Sequence, residues 1–238
     1  MLFDLSGRIA VIAGGTSGIG KTIAEGFREQ GASVIAAGRR SEQFPLDVTS
    51  RSSIDALKLR VMETFGRVDI VVYAAGITQK KPLAELPEAE WEAILNTNIH
   101  GALRFAQAFY EPLKANGRGR VIHIASLGSY AAFHQVAAYC ASKTALLSLT
   151  RSLAVEWAAD GICVNAIAPG IFPTEMNRAI ITGTPRGLEL LQRTPMKRFG
   201  KTEELLGAAV LLASDASSFL TGQCIAVDGG FLASGVNS

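Results

Sequence analysis

Arg8-Ile9-Ala10-Val11-Ile12-Ala13-Gly14-Gly15-Thr16-Ser17-Gly18-Ile19-Gly20 is the stretch that decides the fold. A short apolar run that ends in glycines reads as a parallel strand buried on both faces. Lys21 to Gln30 then reads as a helix, stopped by Gly31. Glycine at this turn permits positive φ and lets backbone approach a phosphate closely. The helix N-terminus offers unpaired N–H groups and partial positive charge to a diphosphate. The spacing is G-x-x-x-G-x-G rather than G-x-G-x-x-G, and by itself such a loop also fits a tight turn that holds no ligand.

The alternation continues outward. Ser33-Val34-Ile35-Ala36-Ala37 reads as a second strand, and further strands are expected at residues 69–73, 119–125, 162–167 and 223–227. Helices are expected near residues 52–65, 87–114, 138–158 and 202–213. Repeated βα units imply an α/β, doubly wound, mostly parallel sheet of the Rossmann type, with helices on both faces in three layers. Ligands bind beyond the carboxyl ends of such strands. One interval departs from the pattern. Between Ala37 and Leu46 there is no room for a crossover helix, which needs at least about ten to twelve residues. The helix between the second and third strands is therefore missing or replaced by a short loop. Either the strand at residues 44–48 is very short, or the return is an extended loop.

At 238 residues, 48% hydrophobic and 18% charged, the chain can bury about 70–75% of its surface as one unit. No linker, repeat or low-complexity tract divides it, so residues 1–238 read as a single dinucleotide-binding domain. The net charge of +2 comes without a long basic block, which leaves nucleic-acid binding unsupported. No apolar run approaches the ~18 residues of a membrane span. Met1-Leu2-Phe3-Asp4-Leu5-Ser6 lacks the basic and apolar regions of a secretory signal. Cys140, Cys163 and Cys224, odd in number and far apart, fit reduced, mostly buried thiols in a cytoplasm. No metal is implied.

Tyr139-Cys140-Ala141-Ser142-Lys143 carries the chemistry. On a helix, positions i and i+4 share a face. A free phenol titrates near ~10, and bringing it to ~7 takes roughly 4 kcal/mol. A neighbouring ammonium favours the phenolate, so Lys143 is expected to lower the pKa of Tyr139. Such a pair is common on ordinary helices, and its meaning depends on what surrounds it.

Taken together, these motifs resemble the short-chain dehydrogenase/reductase family over essentially the whole chain. Gly14–Gly20 resembles the family's cofactor loop T-G-x-x-x-G-x-G, and Asp47-Val48 its adenine-contacting pair. Tyr73-Ala74-Ala75-Gly76 falls where the family has Asn-Asn-Ala-Gly. Asn98 in Asn96-Thr97-Asn98-Ile99-His100-Gly101 resembles its active-site asparagine. Ser126, Tyr139 and Lys143 match its serine, tyrosine and lysine. Pro169-Gly170 and Thr174 match the segment that flanks nicotinamide.

The resemblance implies an NAD(P)-dependent enzyme that interconverts a secondary alcohol and a ketone. Tyr139 would be the acid in reduction and the base in oxidation. Lys143 would assist it and bond the nicotinamide ribose, Ser126 would hold the substrate oxygen, and Asn98 would link Lys143 to solvent through a water or a backbone feature. Gly14, Thr16, Ser17, Gly18, Ile19, Gly20, Arg39, Asp47, Val48, Ala75, Gly76, Tyr139, Lys143, Pro169, Gly170, Ile171 and Thr174 would contact the dinucleotide. His123 reads as a satisfied core histidine rather than a base, and His134 as a residue bordering the pocket. Two departures stand out. Ala13 replaces a threonine that ties the loop, and Tyr73-Ala74 replace two asparagines.

Gly38 stands where an acidic residue would bind the ribose of NAD, and Arg39-Arg40 follow, which suits the 2′-phosphate of NADP. NADP is therefore favoured over NAD. Residues 171–200 read as the cover over a small-molecule pocket. Their arginines and lysines, with Glu175 and Glu189 against them, fit either a solvated face or an anionic substrate. Pro173-Thr174-Glu175-Met176-Asn177 and Asp228-Gly229-Gly230-Phe231-Leu232-Ala233 are similar to gluconate-type sugar-acid dehydrogenases and to 3-oxoacyl-carrier-protein reductases, the former being favoured. A reading of another class is a dinucleotide-binding protein without turnover. The resemblance also implies a homotetramer or homodimer built on the tyrosine-bearing helix, where Leu146, Leu149, Leu153 and Trp157 recur at three- and four-residue spacing.

Overall fold

The computed structural model describes residues 2–175 and 177–235. Its centre is a parallel sheet of six strands: β1 (Ile9–Ala13), β2 (Ser33–Ala37), β3 (Ile70–Tyr73), β4 (Arg120–Ile124), β5 (Cys163–Pro169) and β6 (Cys224–Val227), in spatial order β2-β1-β3-β4-β5-β6. From β1 the chain passes outward to β2, then crosses back to lay β3 on the other side of β1. The crevice at that reversal lies at the carboxyl ends of β1 and β3, where the glycine loop leaves the sheet.

Both faces of the sheet are covered, and each strand divides its side chains between them. Ile9, Val11 and Ala13 join one core with Ile54, Phe105, Phe109 and Leu146. Ala10 and Ile12 join another with Ile23, Phe27 and Leu212. The first core lies under α2 (Arg51–Phe65), α4 (Gly101–Asn116) and α5 (Ala137–Trp157), the second under α1 (Gly18–Glu29) and α8 (Leu206–Ala213). A slip of one residue in β1 would exchange the two sets, so burial pins the register Val11↔Ile35 and Val11↔Val71.

The interval after β2 holds no helix. The expected short strand at 44–48 shrinks to one parallel bridge, Gly38↔Pro45. Gly38 N donates to Phe44 O (3.3 Å), and Leu46 N donates to Gly38 O (3.2 Å). Pro45 has no N–H with which to extend a ladder. Phe44, Leu46 and Val48 still alternate into the core, so the segment packs like a strand without pairing as one.

Three expectations need correction. The helix expected over 87–114 is broken into α3 (Glu88–Leu95), a π-helical turn (Asn96–His100) and α4. The cover segment holds two helices of its own, α6 (Arg178–Ile181) and α7 (Pro185–Arg193), too short at 4 and 9 residues to show as a long periodic pattern. The stripe Leu146, Leu149, Leu153 and Trp157 turns inward. Leu146, Leu153 and Trp157 are buried in the first core and Leu149 packs against it, so this stripe serves the chain's own fold.

Candidate active site

The glycine loop is built by close approach. Gly14 has φ +79°, and a Cβ there would lie 2.7 Å from Ala75 N. A Cβ on Gly20 would lie 2.2 Å from Gly14 O. At Ala13, where the resembled family has a threonine, the loop is tied by backbone: Gly14 N and Gly15 N both donate to Ala37 O (2.9 and 3.1 Å), and Ala74 N donates to Ala13 O (2.9 Å). Ser17 caps α1 with backbone only, without a side-chain hydrogen bond, and the first turn carries no acidic residue. The turn's amides therefore face the crevice uncompensated, a fit for a diphosphate.

A groove of about 380 Å³ runs from this loop across the sheet's carboxyl edge. Gly14, Thr16, Ser17, Gly18, Ile19, Gly20, Arg39, Asp47, Val48, Ala75, Gly76, Ser126, Tyr139, Lys143, Pro169, Gly170 and Thr174 all line it. Ile171 instead lines a neighbouring cavity of about 230 Å³, and Asn98 lies beneath the groove wall. The groove also takes Arg40, Ile77, Thr97, Phe172, Glu175 and Asn177. Of these, Arg40 was expected beside the phosphate; the others carried no signal because loops and the π turn, rather than regular periodicity, bring them to the groove. Met176 lies outside the described residues.

At one end stands the proposed acid–base pair. Tyr139 and Lys143 share a face of α5, with Nζ 5.7 Å from the phenol ring centroid. Lys143 is buried, and Nζ donates to Ile124 O at 2.7 Å. Ser126 follows β4 in extended conformation, and its Oγ accepts from Gly128 N at 3.0 Å. The expected lowering of the tyrosine pKa is not found: burial raises Tyr139, against a smaller downward pull from its hydrogen bond with Ser126. Burial also pushes Lys143 down to about 8. Desolvation disfavours both charged forms, and it is the largest influence on each.

Asn98 sits in the π turn, fully buried, with its amide spent entirely on backbone and hydroxyl partners. Oδ1 accepts from Ile77 N (2.8 Å), while Nδ2 donates to Ile77 O (3.0 Å) and to Ser142 Oγ (2.9 Å). Ser142 Oγ donates to Tyr139 O at 2.7 Å. Ser142 lay inside the quoted motif but gave no signal, since its role depends on a residue 44 positions away.

The other end is open. Gly38 leaves no space for a larger residue as placed, because its Cβ would lie 2.6 Å from Thr16 Oγ1. Arg39 and Arg40 are exposed. Arg40 Nη1 stands 3.7 Å from Glu175 Oε2, an ion pair across the groove. Hydrogen bonds from the Thr49 hydroxyl and amide hold the Asp47 carboxyl below its usual range.

The remaining histidine expectations resolve unevenly. His123 is buried in the core, where burial, and then the charge of Lys143, push its pKa down to about 3. Only half of it is satisfied: Nδ1 lies 2.8 Å from Thr150 Oγ1, while Nε2 has no hydrogen-bond partner. His134 is exposed and lines neither cavity, and its carbonyl accepts from Arg186 of α7 at 3.0 Å. The cover packs through Ile181 and Leu190 onto Leu127 and Phe231. No helix among the described residues is long and apolar enough to cross a membrane.

A parallel sheet with a glycine loop, and a serine, tyrosine and lysine in the same groove, define a nicotinamide-dinucleotide oxidoreductase. Residues 13–232 match the family model described as enoyl-(acyl carrier protein) reductase. The chain is 35% identical over 250 residues to gluconate 5-dehydrogenase of Gluconobacter oxydans, covering 98% of each chain. It is 36% identical over 248 residues to 5-keto-D-gluconate 5-reductase of Escherichia coli K12, covering 97% of this chain and 98% of the other. Among solved structures it resembles a gluconate 5-dehydrogenase from Burkholderia cenocepacia in complex with NADP and tartrate, with a TM-score of 0.95, 35% identity and 98% of both chains covered. The chain belongs to the short-chain dehydrogenase/reductase family and is an NAD(P)-dependent oxidoreductase acting on CH-OH groups.

Proposed function

We propose that this chain interconverts a secondary alcohol and a ketone on a sugar acid, with NADP favoured over NAD. The observation that carries this reading is the shared groove: Ser126, Tyr139 and Lys143 line the same space as the glycine loop. Relatives named for gluconate and ketogluconate chemistry support the substrate class. The exposed Arg39 and Arg40 beside Gly38 support the phosphorylated cofactor.

In this reading the cofactor supplies or accepts the hydride, and the chain handles the proton. Ser126 Oγ holds the substrate oxygen beside Tyr139. The phenol gives its proton to that oxygen in reduction and takes it in oxidation, help worth about 10²–10⁴ in rate. Tyr139 rests protonated, which suits the acid role. Lys143, at about 8, is mostly cationic at neutral pH and steadies the phenolate when the proton leaves. Asn98 holds the 76–77 loop against Lys143 through Ile77.

The chain is read as one dinucleotide-binding domain over residues 1–238, with residues 171–200 as substrate cover, working as a cytoplasmic homotetramer or homodimer. The exposed Val155 and Phe219 support association; sedimentation measures it. A screen of gluconate, ketogluconates and acetoacetyl thioesters, each with NAD and NADP, tests the substrate. Turnover confined to thioesters makes it a 3-oxoacyl-thioester reductase instead. A Tyr139→Phe variant that keeps full turnover refutes the catalytic assignment, while turnover absent on every substrate leaves the non-catalytic binder.

A further inference from the structure

Tyr73 departs from the resembled family pattern, and the π turn departs from a regular helix; the two meet at one contact. Tyr73 ends β3, is 1% exposed, and donates from its hydroxyl to Thr97 O at 2.5 Å. In an α-helix that carbonyl would pair with the N–H four residues on, that of Gly101. Gly101 N instead bonds Asn96 O, five residues back. The phenol has taken the carbonyl that a straight helix would return to Gly101. The fit is mutual, since a Cβ on Gly101 would lie 2.3 Å from Tyr73 Oη. Phe105, 5.9 Å away, buttresses the ring.

Asn98 is the next residue along this turn. π turns inside helices are often found at functional sites, because the extra residue per turn re-aims side chains. Here the turn aims Asn98 at Ile77 and Ser142, and Ser142 reaches the Tyr139 carbonyl. A Cβ on Gly76, between the two, would stand 3.4 Å from Asn98 Oδ1 and 3.5 Å from Lys143 Nζ. The floor beneath the acid–base pair thus depends on the register of residues 96–101.

We infer that Tyr73 is a positioning residue: its hydroxyl holds residues 96–100 in the π form that presents Asn98 to the active site. The inference rests on the catalytic reading above. Without the hydroxyl, Thr97 O is free to reclaim Gly101 N, the turn straightens toward α, and Asn98 rotates off Ile77. With Gly101→Ala, the added methyl and the phenol cannot share the space, and the same turn is displaced.

The test compares full-length Tyr73→Phe, Gly101→Ala and the double variant in turnover with saturating cofactor and in amide hydrogen exchange. One neutral hydrogen bond corresponds to about a tenfold change. The expected result for Tyr73→Phe is a kcat about tenfold lower, cofactor KM within about twofold, and faster exchange at Ile77 and residues 96–101. Because the severe clash of Gly101→Ala is with the Tyr73 hydroxyl at 2.3 Å, while Val48 at 3.1–3.2 Å need yield only slightly, the double variant should lose no more than the worse single one. Wild-type kcat together with unchanged exchange at Ile77 overturns the inference. So does a loss that appears only where melting has begun, or losses that multiply in the double variant. Tyr139→Phe run alongside separates the two readings. If it is inactive while Tyr73→Phe is normal, only the positioning role falls; if it is fully active, the catalytic reading falls and the exchange result still judges the turn.

Discussion

The two ends of the groove are built by opposite means. At the proposed catalytic end Asn98, Ser142 and Lys143 are buried and joined to one another and to backbone by hydrogen bonds of 2.7–3.0 Å. At the other end Arg40 and Glu175 meet across 3.7 Å with side chains 84% and 79% exposed. Exposed ion pairs of this kind contribute about 0–1 kcal/mol, whereas breaking a buried polar network leaves unpaired groups that cost more. The chemistry end is thus set before a ligand arrives, at the expense of a buried amine. The cofactor-tail end is left for the ligand to complete, so affinity there can change without disturbing the fold.

The contrast is broken most severely at Lys143. Lys143→Met should lower kcat by about 10²-fold or more, while improving stability at neutral pH relative to that at high pH. The sign follows from linkage. The folded pKa of about 8 lies below the ordinary 10.5, so the unfolded chain holds more protons between those values. Stability contributed at Lys143 is therefore present above 10.5, is lost as pH falls towards 8, and is fully lost below it. Removing the amine should recover up to about 3 kcal/mol at pH 7 and nothing near pH 10.5, set against a pH-independent cost of about 1–3 kcal/mol for leaving Ile124 O without its donor. Melting curves of both proteins across pH 7–10.5 check this; a stability difference that does not move in the variant's favour as pH falls from 10.5 to 7 contradicts it.

At the open end the effects should be smaller and confined to the cofactor. Replacing Arg39 and Arg40 together with alanine should weaken NADP binding about tenfold and leave NAD nearly unchanged, since only NADP offers a phosphate for the guanidinium to bond. Titration calorimetry with each dinucleotide decides it, and equal losses for both would show that the arginines are merely solvated. Glu175→Gln should have the smallest effect, about a twofold gain for NADP at low salt that vanishes at high salt, because it frees Arg40 from an exposed partner.

Much of this was legible before any coordinates. Gly14, Gly18 and Gly20 announce themselves because only glycine tolerates those contacts, and contacts at 2.2–2.7 Å bear that out at Gly14 and Gly20. The missing crossover after Ala37 was a matter of counting residues against the reach of a helix. The break inside residues 87–114 was not legible. A π turn costs a single residue of register, and its cause, the Tyr73 hydroxyl, comes from a strand 24 residues earlier. The leucines of α5 misled for a related reason: a three- and four-residue stripe shows that a face is buried, not whether its own core or another subunit covers it.

The sequence by itself determined the βα alternation and the glycine turn, because these rest on local periodicity and on residue types with few substitutes; Asn98, Ser126, Tyr139 and Lys143 came as an ordered set through the resemblance to the short-chain dehydrogenase/reductase family. Only the tertiary structure decided which groups are charged, how Asn98 is aimed, and which of the flanking residues face the groove. Protonation follows from desolvation, and desolvation is the work of distant segments. Tyr139 and Lys143 look in one dimension like a pair in which the cation lowers the phenol. On the face of α5 that packs against the end of β4, both lose water, and the phenol rises while the amine falls.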